Sequence, residues 1–184
     1  MSTLAPPKKI LTVEDNAIVS ADVRSILEAA GYDVCPDARD GLEAVEHVRE
    51  YAPDLILLDL TLPRLDGVDA ASRIREESDA PILVLTGSND PELLERATAA
   101  GTSGVVLKPF SEHGLLSAVR TRLAERDADD FRLRSLIEEM HREGADEPAI
   151  VRAVQAAMRS DELPRPAGGL RRELSRLARF IARR

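Results

Sequence analysis

The sequence predicts an α/β fold built on a doubly wound five-stranded parallel sheet. Five short runs of mainly aliphatic residues have the length and composition of buried strands: residues 9–13, 32–35, 54–58, 81–85 and 104–107. Segments with helical periodicity separate these runs. Because crossovers between parallel strands are right-handed, such units wind helices onto both faces of a single sheet.

Three helices are predicted between the first four strands. Their expected spans are residues 17–30, 40–51 and 68–77. The first helix should stop at Gly31, a residue type that often follows a helix end. Its apolar stripe consists of five residues: Ile18, Val19, Val23, Ile26 and Leu27. This stripe is the face that we expect to pack against the sheet.

Two further helices complete the alternation. Asp90 and Pro91 are residue types favoured at the N-cap and at the first helical position, and the helix that they begin should end near Gly101. Ser111 is expected to cap a fifth helix, with Glu112 in its first turn. Five strands and five helices therefore occupy the chain up to about residue 125.

The remainder of the chain is predicted to be an all-helical C-terminal extension. Its helices are expected over residues 131–142, 148–158 and 170–184, with a turn at 144–146 and a breaker segment at 163–169. The predicted domains are thus a disordered lead-in over residues 1–7, an α/β domain over 8–125 and the extension over 126–184.

Charge also divides the chain of 184 residues. Residues 1–124 hold 12 Lys and Arg against 21 Asp and Glu, whereas residues 125–184 hold 13 against 12. The asymmetry indicates two parts with different partners. No apolar run approaches the length of a membrane span, and the first residues lack the features of a signal peptide. With Cys35 as the single cysteine, these features predict a cytoplasmic location.

Polar side chains follow four of the predicted strands, at the points where those strands end. They are Glu14, Asp15, Asp59, Thr86 and Lys108. We expect these side chains to converge, because ligands bind outside the carboxyl ends of strands in such sheets. Clustered carboxylates suit Mg²⁺, while an amine and a hydroxyl suit a phosphoryl group. Asp59, at the end of the central strand, is the candidate nucleophile.

Four motifs in register give these residues a family resemblance. The stretches are ILTVEDN at residues 10–16, LLDLTLPRLDG at 57–67, VLTG at 84–87 and LKPF at 107–110. In order and spacing they resemble the receiver domain of response regulators from two-component signalling. The resemblance covers residues 8–125 and implies the strand order 2-1-3-4-5 of the flavodoxin-like class, to which receiver proteins belong.

The resemblance implies a chemistry as well as a fold. Asp59 would accept a phosphoryl group from a histidine kinase or phosphotransfer protein, and Thr86 and Lys108 would contact that group. Mg²⁺ would be held by Glu14, Asp15, Asp59 and the backbone carbonyl of Thr61. The Lys108–Pro109 peptide bond would be cis. No enzymatic activity is expected beyond the phosphorylation and dephosphorylation of the domain itself.

The chain departs from the family at Val105. Receiver domains carry an aromatic residue three positions before the lysine, and its movement between buried and exposed positions accompanies phosphorylation. A valine at this switch position implies a different or weaker relay, and it is also expected to pack as an ordinary β-branched strand residue.

Three roles remain open for the extension. One is RNA or DNA binding, because the extension faintly resembles the ANTAR output domain, although the inserted breaker and the expected absence of a long linker helix depart from that pattern. The second is binding of a protein partner or formation of a homodimer. The third is structural, with the extension packing on the α/β domain or mediating a dimer. A further alternative is that the chain is a phosphate sink or scaffold without an output of its own. The candidate contacts are six arginines: Arg171, Arg172, Arg176, Arg179, Arg183 and Arg184.

Overall fold

A computed structural model of the chain describes residues 6–157. The strands are β1 Lys9–Val13, β2 Asp33–Val34, β3 Leu55–Leu58, β4 Ile82–Thr86 and β5 Gly104–Leu107. The helices are α1 Ala17–Ala29, α2 Gly41–Tyr51, α3 Gly67–Glu77, α4 Pro91–Ala99, α5 Glu112–Arg142 and α6 Glu147–Ala157. The described residues up to Leu123 form one compact unit, and those from Ala124 onward belong to a second.

All five strands are parallel, in the order β2-β1-β3-β4-β5. This confirms the predicted fold class and strand order. The edge strand β2 is shorter than predicted and spans two residues. The Cys35 N–H still donates to the Ile10 carbonyl, but the next donor to β1 is Ala38 rather than Asp37, so the regular register ends after Cys35.

The sheet is apolar on both faces, so alternate residues of one strand enter different cores. Leu11, Ile56 and Leu58 pack with residues of α2 and α3 on one face. Leu57 and Leu83 belong to the cluster on the other face, together with residues of α1 and of α5 up to Leu123. Fully buried strands of this kind explain the continuous aliphatic runs in the sequence.

Short polar side chains begin the helices as expected. Asp90 accepts a hydrogen bond from the Glu92 N–H and precedes Pro91, which confirms the predicted start of α4. Asp40 is the N-cap of α2 rather than its first residue. The glycine after α1, Gly31, has a φ of 87°, a conformation that glycine adopts without a steric penalty.

The predicted stripe of α1 is wrong at Ile18, whose side chain is 81% exposed. Val23 and Leu27 are fully buried, as predicted. At about 100° per residue, Ile18 lies roughly 140° around the helix from Val23. It therefore falls outside the face that packs on the sheet.

The fifth helix differs most from the prediction. The sequence predicted one helix ending near residue 125 and another over 131–142, with no long linker helix, but α5 is continuous over Glu112–Arg142. The stretch AERDADD at residues 124–130 contains neither glycine nor proline, so nothing in it stops a helix. The expectation that a long helix is absent is therefore wrong.

In the described part of the second unit, the later part of α5 and α6 share a small apolar cluster. Leu133, Ile150 and Val154 are buried there, and Ile137 and Met140 pack against them. The predicted turn between the helices is confirmed, with Gly144 at a φ of 81°. The last residue predicted for α6, the breaker segment and the helix over residues 170–184 lie outside the described residues.

Candidate functional site

The carboxyl ends of β1, β3, β4 and β5 meet at one edge of the sheet. Val13 is in register with Leu58, and Thr86 with Leu107. The Asp59 N–H donates to the Val13 carbonyl at 3.0 Å. The parallel register therefore brings the residues after each strand together, as the sequence predicts.

Three carboxylates converge at this edge. One oxygen from each of Glu14, Asp15 and Asp59 lies within 4.8 Å of the other two. Glu14 is 2% exposed and Asp59 is 6% exposed, whereas Asp15 is open to solvent. Two negative charges are thus held in a nearly dry setting, which is unfavourable unless a cation compensates them.

Lys108 supplies a positive charge between the two buried carboxylates. Its Nζ lies 2.5 Å from Glu14 Oε2 and 2.6 Å from Asp59 Oδ2. The peptide bond between Lys108 and Pro109 is cis, as the resemblance implied.

The pKa values of Glu14 and Lys108 are both raised, for different reasons. Burial raises the pKa of Glu14, and its hydrogen bond to Lys108 only partly offsets that effect. Burial alone would lower the pKa of Lys108, but hydrogen bonds to Asp59 and Glu14 outweigh it and raise the pKa. Lys108 therefore stays protonated around neutral pH.

Backbone N–H groups fix the remaining oxygens of the two buried carboxylates. The Thr61 N–H donates to Asp59 Oδ1 at 2.9 Å, and the Asn16 N–H donates to Glu14 Oε1 at 3.2 Å. The loop after β3 thus orients Asp59 from one side while Lys108 holds it from the other.

Thr86 and Val105 lie on the neighbouring strands. Thr86 is fully buried at the end of β4, and its Oγ1 accepts a hydrogen bond from the Ser88 N–H at 3.1 Å. Val105, in β5, is in register with Val84 of β4 and is 39% exposed. It is a strand residue, as predicted, while its part in a switch stays a prediction.

The donor set fits a hard divalent cation. Two buried carboxylates and one exposed carboxylate offer oxygen ligands only, which Mg²⁺ prefers over nitrogen or sulfur. Mg²⁺ also keeps several of its waters, and the exposure of Asp15 leaves the cluster open on one side. The residues present at this edge are therefore suitable for magnesium.

One ion pair beside this site, between Arg64 and Asp40, was not predicted from the sequence. The Arg64 guanidinium, in the loop after β3, pairs with the carboxylate of Asp40 at the start of α2. The two residues are 24 positions apart, and no local pattern links them. The six arginines of the predicted last helix lie outside the described residues, so their contacts stay predictions.

Within residues 6–157, no helix has both the length and the apolar character needed to cross a membrane. This includes α5, the longest helix described, which carries charged residues along its length.

Comparisons with known proteins agree with this geometry. The chain is 42% identical over 115 residues to the transcriptional regulatory protein PdtaR of Mycobacterium tuberculosis, a match that covers 62% of this chain and 56% of PdtaR. It is 34% identical over 113 residues to the chemotaxis protein CheY of Halobacterium salinarum, covering 61% of this chain and 93% of CheY. The chain thus spans little more than half of the PdtaR length.

A solved structure shows the same fold with a metal. The receiver domain of the sensor histidine kinase PA1611 from Pseudomonas aeruginosa has magnesium coordinated in its active site cleft. It superposes with a TM-score of 0.60 at 30% identity, covering 64% of this chain and 98% of that domain. The family model for the response regulator receiver domain matches residues 10–120. The chain therefore belongs to the response regulator receiver domain family.

Proposed function

We propose that this chain accepts a phosphoryl group on Asp59 from the phosphohistidine of a histidine kinase or phosphotransfer protein. Mg²⁺ would be held by Glu14, Asp15, Asp59 and the carbonyl of Thr61. The observation that carries the proposal is the convergence of three carboxylates within 4.8 Å, two of them bridged by Lys108. Receiver domains act in this way as signal transducers rather than as enzymes with separate substrates.

The transfer replaces one phosphoryl bond with another. A carboxylate oxygen of Asp59 attacks phosphorus, the P–N bond to the histidine breaks, and an acyl phosphate forms. Water later attacks the acyl phosphate, which restores the carboxylate and releases inorganic phosphate. Bound magnesium would neutralise the charge on the phosphoryl oxygens.

The protein contributes position and charge. The Thr61 N–H orients Asp59, and the ammonium of Lys108 lies beside the acceptor carboxylate, where it would contact a phosphoryl oxygen. The Thr86 hydroxyl, buried at the end of β4, would donate to another phosphoryl oxygen and thereby draw in the loop that contains Ser88.

For the output, we favour a protein partner or a homodimer reached through residues 126–184. The apolar cluster of α5 and α6 supports this choice, because it gives part of the extension a core of its own. The exposed Phe131 on α5 offers a large apolar side chain to a partner.

Nucleic-acid binding is a second candidate output. Two observations support it: the relative PdtaR is named a transcriptional regulatory protein, and α5 is a long continuous helix. The continuity of α5 supplies the long helix whose expected absence was one of the two differences from the ANTAR pattern. Binding through the six arginines would weaken steeply as salt rises, because each phosphate contact releases counterions.

Labelling with a small acyl phosphate tests the proposed acceptor. The chain should gain the mass of one phosphoryl group in the presence of Mg²⁺, and Asp59→Asn should gain none. Asp90→Asn is a matched control, because asparagine also caps helices and Asp90 lies outside the acidic cluster. Full labelling of Asp59→Asn at an aspartyl site would reject the assignment.

A further inference from the structure

The loop between β3 and α3, residues 59–66, holds a tight conformation beside the acidic cluster. The Gly67 N–H donates to the Leu60 carbonyl at 3.0 Å and closes the loop. A Cβ at Gly67 would lie 2.2 Å from the Asp59 carbonyl oxygen, so no larger residue fits without movement. The loop that orients Asp59 through Thr61 is therefore tightly constrained at its far end.

The same loop lies directly on the start of α2. A Cβ built at Gly41 would lie 2.4 Å from the Leu65 carbonyl oxygen and 2.9 Å from the Leu65 Cβ. Leu65 itself is buried in the core that includes residues of α2 and α3. Backbone contact at this point requires glycine and places Arg64, the preceding residue, beside the N-cap of α2.

Arg64 makes the polar part of this contact. Its guanidinium pairs with the Asp40 carboxylate, and its Nη2 lies 3.3 Å from Glu43 Oε1. Its backbone has a φ of 64°, which is uncommon for a residue with a long side chain. Such backbone conformations persist where surrounding contacts determine them, and they concentrate at functional sites.

Asp40, the main partner of Arg64, is held in place by contacts other than the one with Arg64. The side chain of Asp40 is 6% exposed and accepts hydrogen bonds from the N–H groups of Leu42 and Glu43, at 2.9 and 3.0 Å. Glu43 also accepts from the Arg39 N–H at 2.9 Å. The exposed arginine is thereby attached to one buried carboxylate that backbone N–H groups already hold, unlike a surface ion pair between two exposed side chains.

We propose that Arg64 is a positioning residue that fastens the β3–α3 loop to α2 and thereby strengthens Mg²⁺ binding at the acidic cluster. The proposal rests on the proposed function, in which the Thr61 carbonyl is a metal ligand. Thr61 lies three residues before Arg64 in the loop, and its N–H orients Asp59. Releasing Arg64 would let both the carbonyl and the acceptor carboxylate move.

Two measurements on the full chain test this role: Mg²⁺ binding by titration calorimetry without a phosphoryl donor, and phosphorylation by acetyl phosphate at graded Mg²⁺ concentrations. In the calorimetric titration, Arg64→Gln should weaken Mg²⁺ binding by the same factor that it shifts the Mg²⁺ dependence of the rate. Arg64→Gln should raise the Mg²⁺ concentration for half-maximal rate about fivefold, the size expected of one charge pair, and leave the rate at saturating Mg²⁺ nearly unchanged. Arg49→Gln is the matched control, because Arg49 is 58% exposed, pairs with Glu77 and lies on α2, the helix that Asp40 caps. It should leave the Mg²⁺ dependence unchanged.

Three further variants separate positioning from general destabilisation. Asp40→Asn keeps an N-cap but removes the charge that faces Arg64, so it should shift the Mg²⁺ dependence as Arg64→Gln does. The double variant should shift it no further, because both changes remove one interaction. Arg64→Lys keeps the charge and should restore part of the Mg²⁺ affinity.

The outcomes distinguish this proposal from the one on which it rests. If the natural chain takes up no phosphoryl group, the proposed function fails. If the natural chain and Arg64→Gln are both labelled with the same Mg²⁺ dependence, only the role of Arg64 fails. Additive shifts in the double variant would also overturn it, because Arg64 and Asp40 would then act independently.

Discussion

The two units of the chain bury different kinds of side chain. In residues 6–123, Glu14, Asp59 and Thr86 are buried among aliphatic residues at the edge of the sheet. Among the side chains that the structure describes in residues 124–157, the buried ones are the apolar Leu133, Ile150 and Val154, and none of the polar ones is buried. Burying charged side chains costs free energy, so their presence in the first unit indicates a chemical site. The apolar side chains buried in the second unit indicate a small hydrophobic core.

The largest effect is expected from removing Lys108, because Glu14 and Asp59 are then buried without the positive charge that they share. We expect Lys108→Met to lower phosphorylation by roughly 100-fold and to lower the free energy of unfolding by about 3 kcal/mol. Added Mg²⁺ should recover part of that stability, because it binds only the folded cluster. Urea unfolding with and without Mg²⁺ measures this.

Lys9→Met is the control for that experiment. It also removes one positive charge, but from an exposed residue at the start of β1. It should change neither quantity appreciably. If Lys108→Met were as stable as the natural chain and gained nothing more from Mg²⁺, the buried carboxylates would not depend on Lys108.

Creating a cavity in the second unit tests whether phosphorylation in the first unit depends on the packing of the second. Leu133 is 1% exposed, so Leu133→Ala should destabilise the α5–α6 cluster by about 2–4 kcal/mol. Helical circular dichroism should fall, while phosphorylation should stay within about twofold of the natural rate. Phe131→Ala on the same helix is the control, and since Phe131 is 71% exposed its effect should be small. Loss of phosphorylation in Leu133→Ala alone would show that the acceptor site depends on the extension.

The sequence predicted the first unit better than the second, for physical reasons. Strand ends in a parallel sheet have a strong local signal, and their convergence follows from topology, so Glu14, Asp59 and Lys108 could be placed together. The continuity of α5 could not be predicted, because the charged stretch at residues 124–130 has no apolar periodicity and yet no helix breaker. The Arg64–Asp40 pair depends on how the loop and α2 approach each other, which no local pattern encodes.

Removing residues 126–184 tests whether they produce the response to phosphorylation. A variant ending at Glu125 lacks the second part of α5 and all of α6. With Mg²⁺ and beryllofluoride, which mimics the acyl phosphate, the full chain should change mass in light scattering, up to a doubling for a dimer. The truncated variant should not respond. If neither chain responds, valine at position 105 has uncoupled the switch, and the phosphate-sink alternative gains support.

The smallest expected effect is the pH dependence of the contact between the β3–α3 loop and α2. Burial would raise the pKa of Asp40, but hydrogen bonds from the Glu43 N–H and from Arg64 outweigh it and lower the pKa below its usual value. A lowered pKa in the folded state gives stability that is complete above the pKa of the unfolded chain and is lost as the pH falls through the folded value.

The stability difference between the natural chain and Arg64→Gln should therefore be constant from about pH 8 to pH 5 and should shrink below about pH 4. Urea unfolding of both chains across this range measures the difference. Arg49→Gln supplies the comparison at a site that lacks Asp40, since its partner is Glu77. A difference that does not shrink at any pH below about 4 at which both chains still fold would mean that Arg64 stabilises the loop by packing of its aliphatic stem rather than by its ion pair with Asp40.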